Sequence, residues 1–436
     1  MEHLELSKSK QLYEEAVNII AGGSQTMSKR PEAFAMGAMP IYLQRGEGCY
    51  VWDIDGNRYI DYISALGPIT LGYCYPAVDE AVRKQLSNGM IFSMMHPLEV
   101  EAAQAIIDII PCAEMVRFFK TGAEATAAAA RIARAYTGRE MILSSGYHGW
   151  LDTWTALSSA PSARGIPNSL KDSIMGFRFG DFDSEDSLQA LFEKYKGNVA
   201  AVVMEPATYS TMETGGYLKW ARELADKHGA LLVFDEIVTG FRVALGGAQE
   251  YFDVIPDLAC FAKGISNGMP LAAVTGKRDV MKTAAELLIS STYGGDAVSL
   301  AAVVACLREY REKDVIGYIW KQGRKLIDGM NGIAKETGLA LEFRGYPVMS
   351  SFAFGYEDAQ TNTDLITLLL QEMAVRGILL RRGGLIFITY SHGDKEIAQT
   401  LDICREVFPL LFDAHKSGTV KDKLVTGEVA AGIRRF

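Results

Sequence analysis

Leu231-Leu232-Val233-Phe234-Asp235-Glu236-Ile237-Val238-Thr239-Gly240-Phe241-Arg242 is the stretch on which the fold turns. Its apolar run is too short for a helix and ends in an acid before a glycine, the pattern of a strand buried on both faces. A second run, Leu258-Ala259-Cys260-Phe261-Ala262, ends at Lys263, 28 residues after Asp235, and enters the turn-rich Gly264-Ile265-Ser266-Asn267-Gly268-Met269-Pro270. An acid and an amine therefore stand at the carboxyl ends of two buried strands. An ammonium among apolar atoms loses its hydration, and that loss lowers its pKa and makes it a usable nucleophile.

A third element lies upstream. Met115-Val116-Arg117-Phe118-Phe119 reads as a strand, Lys120-Thr121-Gly122-Ala123-Glu124 follows, and the alanine-rich run 125–136 favours helix. Strand, glycine turn and helix N-terminus make an anion cup, with free backbone N–H groups and the positive end of the helix dipole at one point. The Thr121 hydroxyl is a further donor. Taken singly, each feature has an ordinary counterpart, a solvated strand tip or a helix that begins after Thr-Gly. In combination they are the three attachments of pyridoxal phosphate: a Schiff-base lysine, an aspartate that keeps the pyridine nitrogen protonated, and a phosphate site.

Phe234-Asp235-Glu236-Ile237-Val238-Thr239-Gly240-Phe241-Arg242, Ala262-Lys263-Gly264 and Thr121-Gly122-Ala123-Glu124-Ala125-Thr126 resemble the class III aminotransferases. The likeness is greatest to the glutamate-1-semialdehyde aminomutase branch. It extends through Val51-Trp52-Asp53-Ile54-Asp55-Gly56-Asn57, Gly67-Pro68, Gly146-Tyr147-His148-Gly149 and Val243-Ala244-Leu245-Gly246-Gly247-Ala248-Gln249, and covers most of the chain from about Gly22. The resemblance implies a fold-type I α/β enzyme and a homodimer. Lys263 takes the role of cofactor lysine and acid/base, and Asp235 that of pyridinium partner. Ile237, two residues on in an extended segment, is the apolar floor beneath the ring, and Tyr147 the aromatic above it. Gly122 and Ala123 are backbone phosphate donors, Glu205 is a strand-end acid bordering the cofactor, and Thr292 is a phosphate ligand lent across the dimer.

Substrate residues depart from the branch. Where glutamate-handling members carry a carboxylate-binding arginine and the aminomutases a glutamate, this chain has Gly384 or Leu385. Arg381 and Arg382 come just before, and Arg382 is a candidate carboxylate ligand, its alternative being an exposed strand-end arginine. Leu66 stands where the aminomutases have tryptophan, and Arg30 lies in a longer version of the N-terminal substrate loop. These departures favour an aminotransferase that moves nitrogen from an amino acid, with glutamate the family's default donor, to an aldehyde or ketone. The N-terminal pattern resembles transaminases of bacterial surface-sugar biosynthesis, so a sugar derivative is one acceptor class. The aminomutase reaction is the alternative.

Gly264-Ile265-Ser266-Asn267-Gly268 also satisfies the nucleophile-elbow pattern of serine hydrolases. An elbow runs straight into a helix, whereas Met269-Pro270 here leads to the strand-like Leu271-Ala272-Ala273-Val274. A hydrolase using Ser266 is the remote alternative.

With 436 residues the chain exceeds one typical core. The expected division is an N-terminal segment, 1–60, joining the small domain, a large cofactor domain of alternating strands and helices, 61–315, and a smaller α+β domain, 316–436. The expected sheet is mostly parallel, with helices on both faces and the cofactor at the carboxyl ends of its strands. Pro409 is the expected stop of a last helix, and 416–436 an exposed tail or an arm on the partner. Hydrophobic residues make up 49% of the chain with no run of about 18 uncharged apolar residues, so no membrane span is expected. The net charge of −9 disfavours nucleic acid as a partner. The acidic start lacks the charge pattern of a signal peptide, which makes the cytoplasm the expected compartment. Six scattered cysteines without C-x-x-C spacing, most of them in apolar surroundings, indicate mostly buried thiols and neither a disulfide framework nor a zinc site.

Overall fold

In the computed structural model, which describes residues 4–159, 161–207 and 215–425, the chain divides into two units. One joins Met1–Tyr75 to Gly317–Arg435, and the other is Pro76–Ile316. The first unit begins with the helix Ser7–Ile19 and an antiparallel meander of β1 (Leu43–Glu47), β2 (Tyr50–Asp53) and β3 (Arg58–Asp61). The β2–β3 turn is set by Asp53, whose Oδ1 accepts the N–H groups of Asp55 (3.1 Å) and Asn57 (2.8 Å), while Gly56 supplies the positive φ of 102°. The boundary lies beyond residue 60 because Tyr73 and Gly48 exchange two backbone hydrogen bonds (2.7 and 2.9 Å), tying 62–75 back to the meander.

The second unit is built on β4 (Met115–Phe119), β5 (Met141–Ser145), β6 (Ile174–Gly176), β7 (Val199–Met204), β8 (Leu231–Asp235), β9 (Leu258–Phe261) and β10 (Ala272–Gly276). Their order is β4-β10-β9-β8-β7-β5-β6; β6 through β9 run parallel, and β10 is antiparallel to both neighbours. Alternate side chains enter two cores, as the pleat requires. Ala201, Val203, Val233 and Cys260 face the helix Gly122–Thr137 through Ala125, Ala129 and Ile132. Val202, Met204, Leu232 and Phe234 face the helices Leu188–Lys194 and Gly215–His228. With both faces covered, the strands read as unbroken apolar runs, and each fully buried Leu, Val or Phe contributes about 1.5–3 kcal/mol.

The chain then completes the first unit with β11 (Leu341–Tyr346), β12 (Met349–Phe354), β13 (Ile378–Leu379) and β14 (Ile386–Phe387). β13 pairs in parallel with β3, and β11-β12-β14 form a separate sheet. The last helix is Asp394–Lys416, and Pro409 does not end it. Val407, Phe408 and Leu411 are fully buried on either side of the proline, and that packing holds the helix through the hydrogen bond the proline cannot make. Part of the expected tail lies on the chain itself: Gln371 accepts Val425 N–H (3.0 Å) and donates to Lys423 O (3.0 Å), while residues 426–436 lie outside the described residues. No helix among the described residues is long and apolar enough to cross a membrane.

Candidate active site

The parallel strands β5, β7, β8 and β9 each deliver a functional side chain at or just beyond the carboxyl end. Asp235 closes β8 and is 3% exposed. Its Oδ2 lies 2.7 Å from Nδ1 of His148, and its Oδ1 accepts the N–H of Ile237 at 3.1 Å. That second bond, with Gly240 N–H donating to Glu236 O (2.8 Å), turns the chain at once, so Ile237 sits in a tight turn and not in the extended segment expected of it. Its side chain still reaches the cup: a Cβ on Gly122 would fall 2.5 Å from Ile237 Cδ1.

His148 was passed over in the sequence, although it stands between Tyr147 and Gly149 directly after a buried strand. Its ring is fully buried, with Nε2 making no hydrogen bond among the described residues. Trp154 packs edge-on at 4.9 Å, and Thr126 Oγ1 donates to the His148 carbonyl at 2.6 Å. With Nδ1–H donated to the carboxylate, the imidazole fixes the orientation of Asp235. Gly149 is required beside it: at φ 117° a Cβ would lie 2.4 Å from that of Ala123.

Glu205 follows β7 and accepts the Tyr147 N–H at 3.1 Å through Oε2. Burial and then repulsion from Asp235 push its carboxyl above the ordinary range, while His148 and Lys263 pull the other way. Lys263 stands two residues past β9 in the turn Lys263–Ser266, with a left-handed φ of 49°. A non-glycine residue held there is strained, and such strain gathers at functional sites. The turn is clamped from the helix Ala297–Glu312, whose Tyr310 hydroxyl donates to Gly264 O at 2.6 Å. Ser266 is fully buried with its hydroxyl donated to Met269 O, which leaves it no role as an exposed nucleophile.

At the anion cup the Thr121 hydroxyl donates to Glu124 Oε2 (3.0 Å) and accepts Glu124 N–H (3.2 Å), a capping box contributing about 1 kcal/mol. Its proton is thus engaged within the helix cap, contrary to the donor role expected of it. The N–H groups of Gly122 and Ala123 remain free of partners among the described residues and sit at the positive end of a 16-residue helix. Lys120 Nζ donates to Pro270 O (2.9 Å), to Ser299 Oγ (3.2 Å) and to Asp296, joining the cup to the segments after Lys263 and Thr292. Thr292 itself is exposed, at the start of the turn 292–295.

The substrate candidates belong to the other unit. Arg382 is 6% exposed, and its two Nη groups donate to the helix Ala359–Val375, at Thr363 O (3.3 Å) and Thr367 Oγ1, while its buried Nε has no partner among the described residues. It is neither an exposed strand-end arginine nor open to a substrate carboxylate; of two consecutive arginines, one points inward. Arg381 donates through Nε to Ser28 O at 3.0 Å. Arg30 is half-buried, its Nη2 so close to Gly22 that a Cβ there would fall 2.4 Å away. Leu66 has a φ of 76°. Among the described residues no group of His, Cys, Asp and Glu is arranged to hold a metal.

A buried carboxylate locked by an imidazole, a strand-end amine and a helix N-terminus with two free N–H groups fit the nitrogen, aldehyde and phosphate of pyridoxal phosphate. Comparison with known proteins agrees. Residues 33–408 match the family model of aminotransferase class-III. The 3-aminobutyryl-CoA aminotransferase of Cloacimonas acidaminovorans is 34% identical over 93% of this chain and 97% of its own length. A glutamate-1-semialdehyde 2,1-aminomutase of Acetivibrio thermocellus is 36% identical over 91% and 96%. The FumI protein of Sphingopyxis sp. MTA144, solved in its PLP internal aldimine form, superposes with a TM-score of 0.87 at 26% identity, covering 94% of this chain and 98% of that one. The fold and the site thus define a pyridoxal-phosphate enzyme of fold type I. The chain belongs to the class III aminotransferases and is a PLP-dependent transaminase.

Proposed function

We propose that the enzyme transfers an amino group between two molecules, from an amino acid donor, glutamate by default, to an aldehyde or ketone acceptor. A sugar derivative is the acceptor class that the N-terminal loop favours. The observation that carries the reading is the meeting of Asp235, Lys263 and the Gly122–Ala123 amides at one edge of one sheet. Pyridoxal phosphate supplies the electron sink that makes a proton on the substrate's α-carbon removable. Lys263 holds the cofactor and then carries that proton on Nζ. Asp235 keeps the ring nitrogen protonated, and His148 holds Asp235 in the orientation this needs. Gly122 and Ala123 bind the phosphate, Ile237 and Tyr147 flank the ring, and Glu205 borders it. Arg30 and Leu66 are the substrate-side candidates.

Leu66 and the Gly384-Leu385 segment lack the side chains of the aminomutase branch, and a relative named as an acyl-CoA aminotransferase supports transfer between molecules. Relatives named as aminomutases favour the second reading. The two are separated by incubating pure holoenzyme with glutamate 1-semialdehyde alone. Only slow conversion to 5-aminolevulinate is expected, against rapid turnover when an amino acid and a separate carbonyl compound are supplied. Efficient conversion of the semialdehyde alone would replace the first reading by the second.

Thr292 is proposed to reach the phosphate of a neighbouring chain in a homodimer with shared sites. A hydroxyl-to-phosphate bond is charge-assisted and worth about 1.5–3 kcal/mol, so Thr292→Ala should weaken cofactor affinity roughly ten- to a hundredfold. Mixing Lys263→Ala with Thr292→Ala subunits and allowing exchange should restore activity at low cofactor, because one site of the mixed dimer has both residues intact. No recovery after demonstrated exchange would reduce Thr292 to a turn residue.

A further inference from the structure

Two side chains of one helix meet at a single carbonyl next to Lys263. Near the end of the helix Ala297–Glu312, the Tyr310 hydroxyl donates to Gly264 O at 2.6 Å. Cys306, one turn earlier on the same face, brings its Sγ to 3.7 Å of that oxygen. Burial pushes the Cys306 thiol up to about 12, so its weak donor proton stays on the sulfur. Gly264 follows Lys263 directly, and both groups therefore act on the peptide beside the left-handed φ of 49°.

The hydroxyl is rigidly held. Tyr310 is 1% exposed, and its ring stacks on that of Phe241 at 6.0 Å and 27°. Phe241 is fully buried at a left-handed φ of 56° and packs at 5.4 Å on Phe261, the last residue of β9. Helix, aromatic pair and strand end are thereby tied to the turn Lys263–Ser266. A non-glycine residue keeps a left-handed backbone where its surroundings over-determine it. Within the turn itself, Ile265 N–H donates to Ala262 O at 3.2 Å. The Tyr310 bond is the shortest of these three contacts, and it comes from outside the turn.

We propose that Tyr310 is a positioning residue of the transamination. By gripping the Gly264 carbonyl it keeps the Lys263 backbone left-handed, and so sets where the Lys263 amine stands when it moves the substrate proton. The proposal rests on the reading of Lys263 as the cofactor lysine. A proton carrier whose backbone is free to relax loses rate steeply, since a misplacement of about 1 Å can cost roughly a hundredfold.

Tyr310→Phe in the holoenzyme tests it, with Tyr59→Phe as the matched control. Tyr59 is likewise buried, and its hydroxyl donates to Asp53 Oδ2 at 2.7 Å in the first unit. Hydrogen exchange read by mass spectrometry should show the amides of 264–266 opening roughly tenfold faster in Tyr310→Phe, with those of β9 unchanged. In the same variant kcat should fall roughly tenfold or more while KM for both substrates stays within about twofold. Tyr59→Phe should alter neither reading, and circular dichroism establishes that both variants are folded. A role in stability alone would lower the Tm of both variants and leave kcat and the 264–266 amides of Tyr310→Phe at wild-type values, which would overturn the proposal. Faster exchange with unchanged kcat would overturn it as well. The Lys263 reading fails separately, by a pyridoxyl group on another lysine after borohydride reduction, whereas unchanged exchange with that group on Lys263 removes the role of Tyr310 alone.

Discussion

Lys263→Ala is expected to abolish transamination, by at least about 10⁴-fold, the upper end of what loss of one positioned acid/base group costs. Lys263 has two tasks, holding the cofactor and moving the substrate proton. Lys120, beside the anion cup, has its Nζ committed to Pro270, Asp296 and Ser299. Lys263→Arg should fail as well, because a guanidinium stays protonated and is no nucleophile. Since a left-handed lysine opens the turn Lys263–Ser266, the alanine variant must be shown to keep its fold by circular dichroism. Turnover within tenfold of wild type would remove Lys263 from the mechanism.

Asp235→Asn should still bind cofactor but lose about 10²–10³ in turnover, the scale seen when one preorganised electrostatic group is removed. The substitution keeps the shape and deletes the charge that holds the ring nitrogen protonated. It also replaces the carboxylate that His148 Nδ1 meets at 2.7 Å with an amide. Steady-state kinetics at saturating cofactor and both substrates separates this from a binding defect: kcat should fall far more than KM rises. Near-normal turnover would show that Asp235 serves the fold alone.

The sheet and the strand-end residues were legible because burial on both faces writes a strand as a plain apolar run, and a charge at its end then stands out. Asp235, Glu205 and Lys263 were all found that way. His148 escaped because a histidine in a glycine-flanked loop carries no periodic signal; only the fold brings it to Asp235. Ile237 was assigned to an extended segment because pattern alone does not reveal that Asp235 accepts its own Ile237 amide and turns the chain. The Thr121 hydroxyl was read as a phosphate donor, whereas Glu124, three residues on, satisfies it in a capping box. The same limit explains Pro409. Its backbone signal says stop, but the buried row of Val407, Phe408 and Leu411 overrides it. Arg382 is the clearest case for substrate residues, since two adjacent arginines look alike in sequence and only packing decides that one is buried against Thr363 and Thr367.

The central claim is that one amine, on Lys263, holds the cofactor opposite Asp235. Borohydride reduction of the holoenzyme fixes the cofactor to the nitrogen that carries it, and proteolysis with mass spectrometry then locates the modified residue. The account predicts a single pyridoxyl group on the peptide containing Lys263, and none in Lys263→Ala. A pyridoxyl group on Lys120 or any other lysine, with Lys263 unmodified, would contradict it.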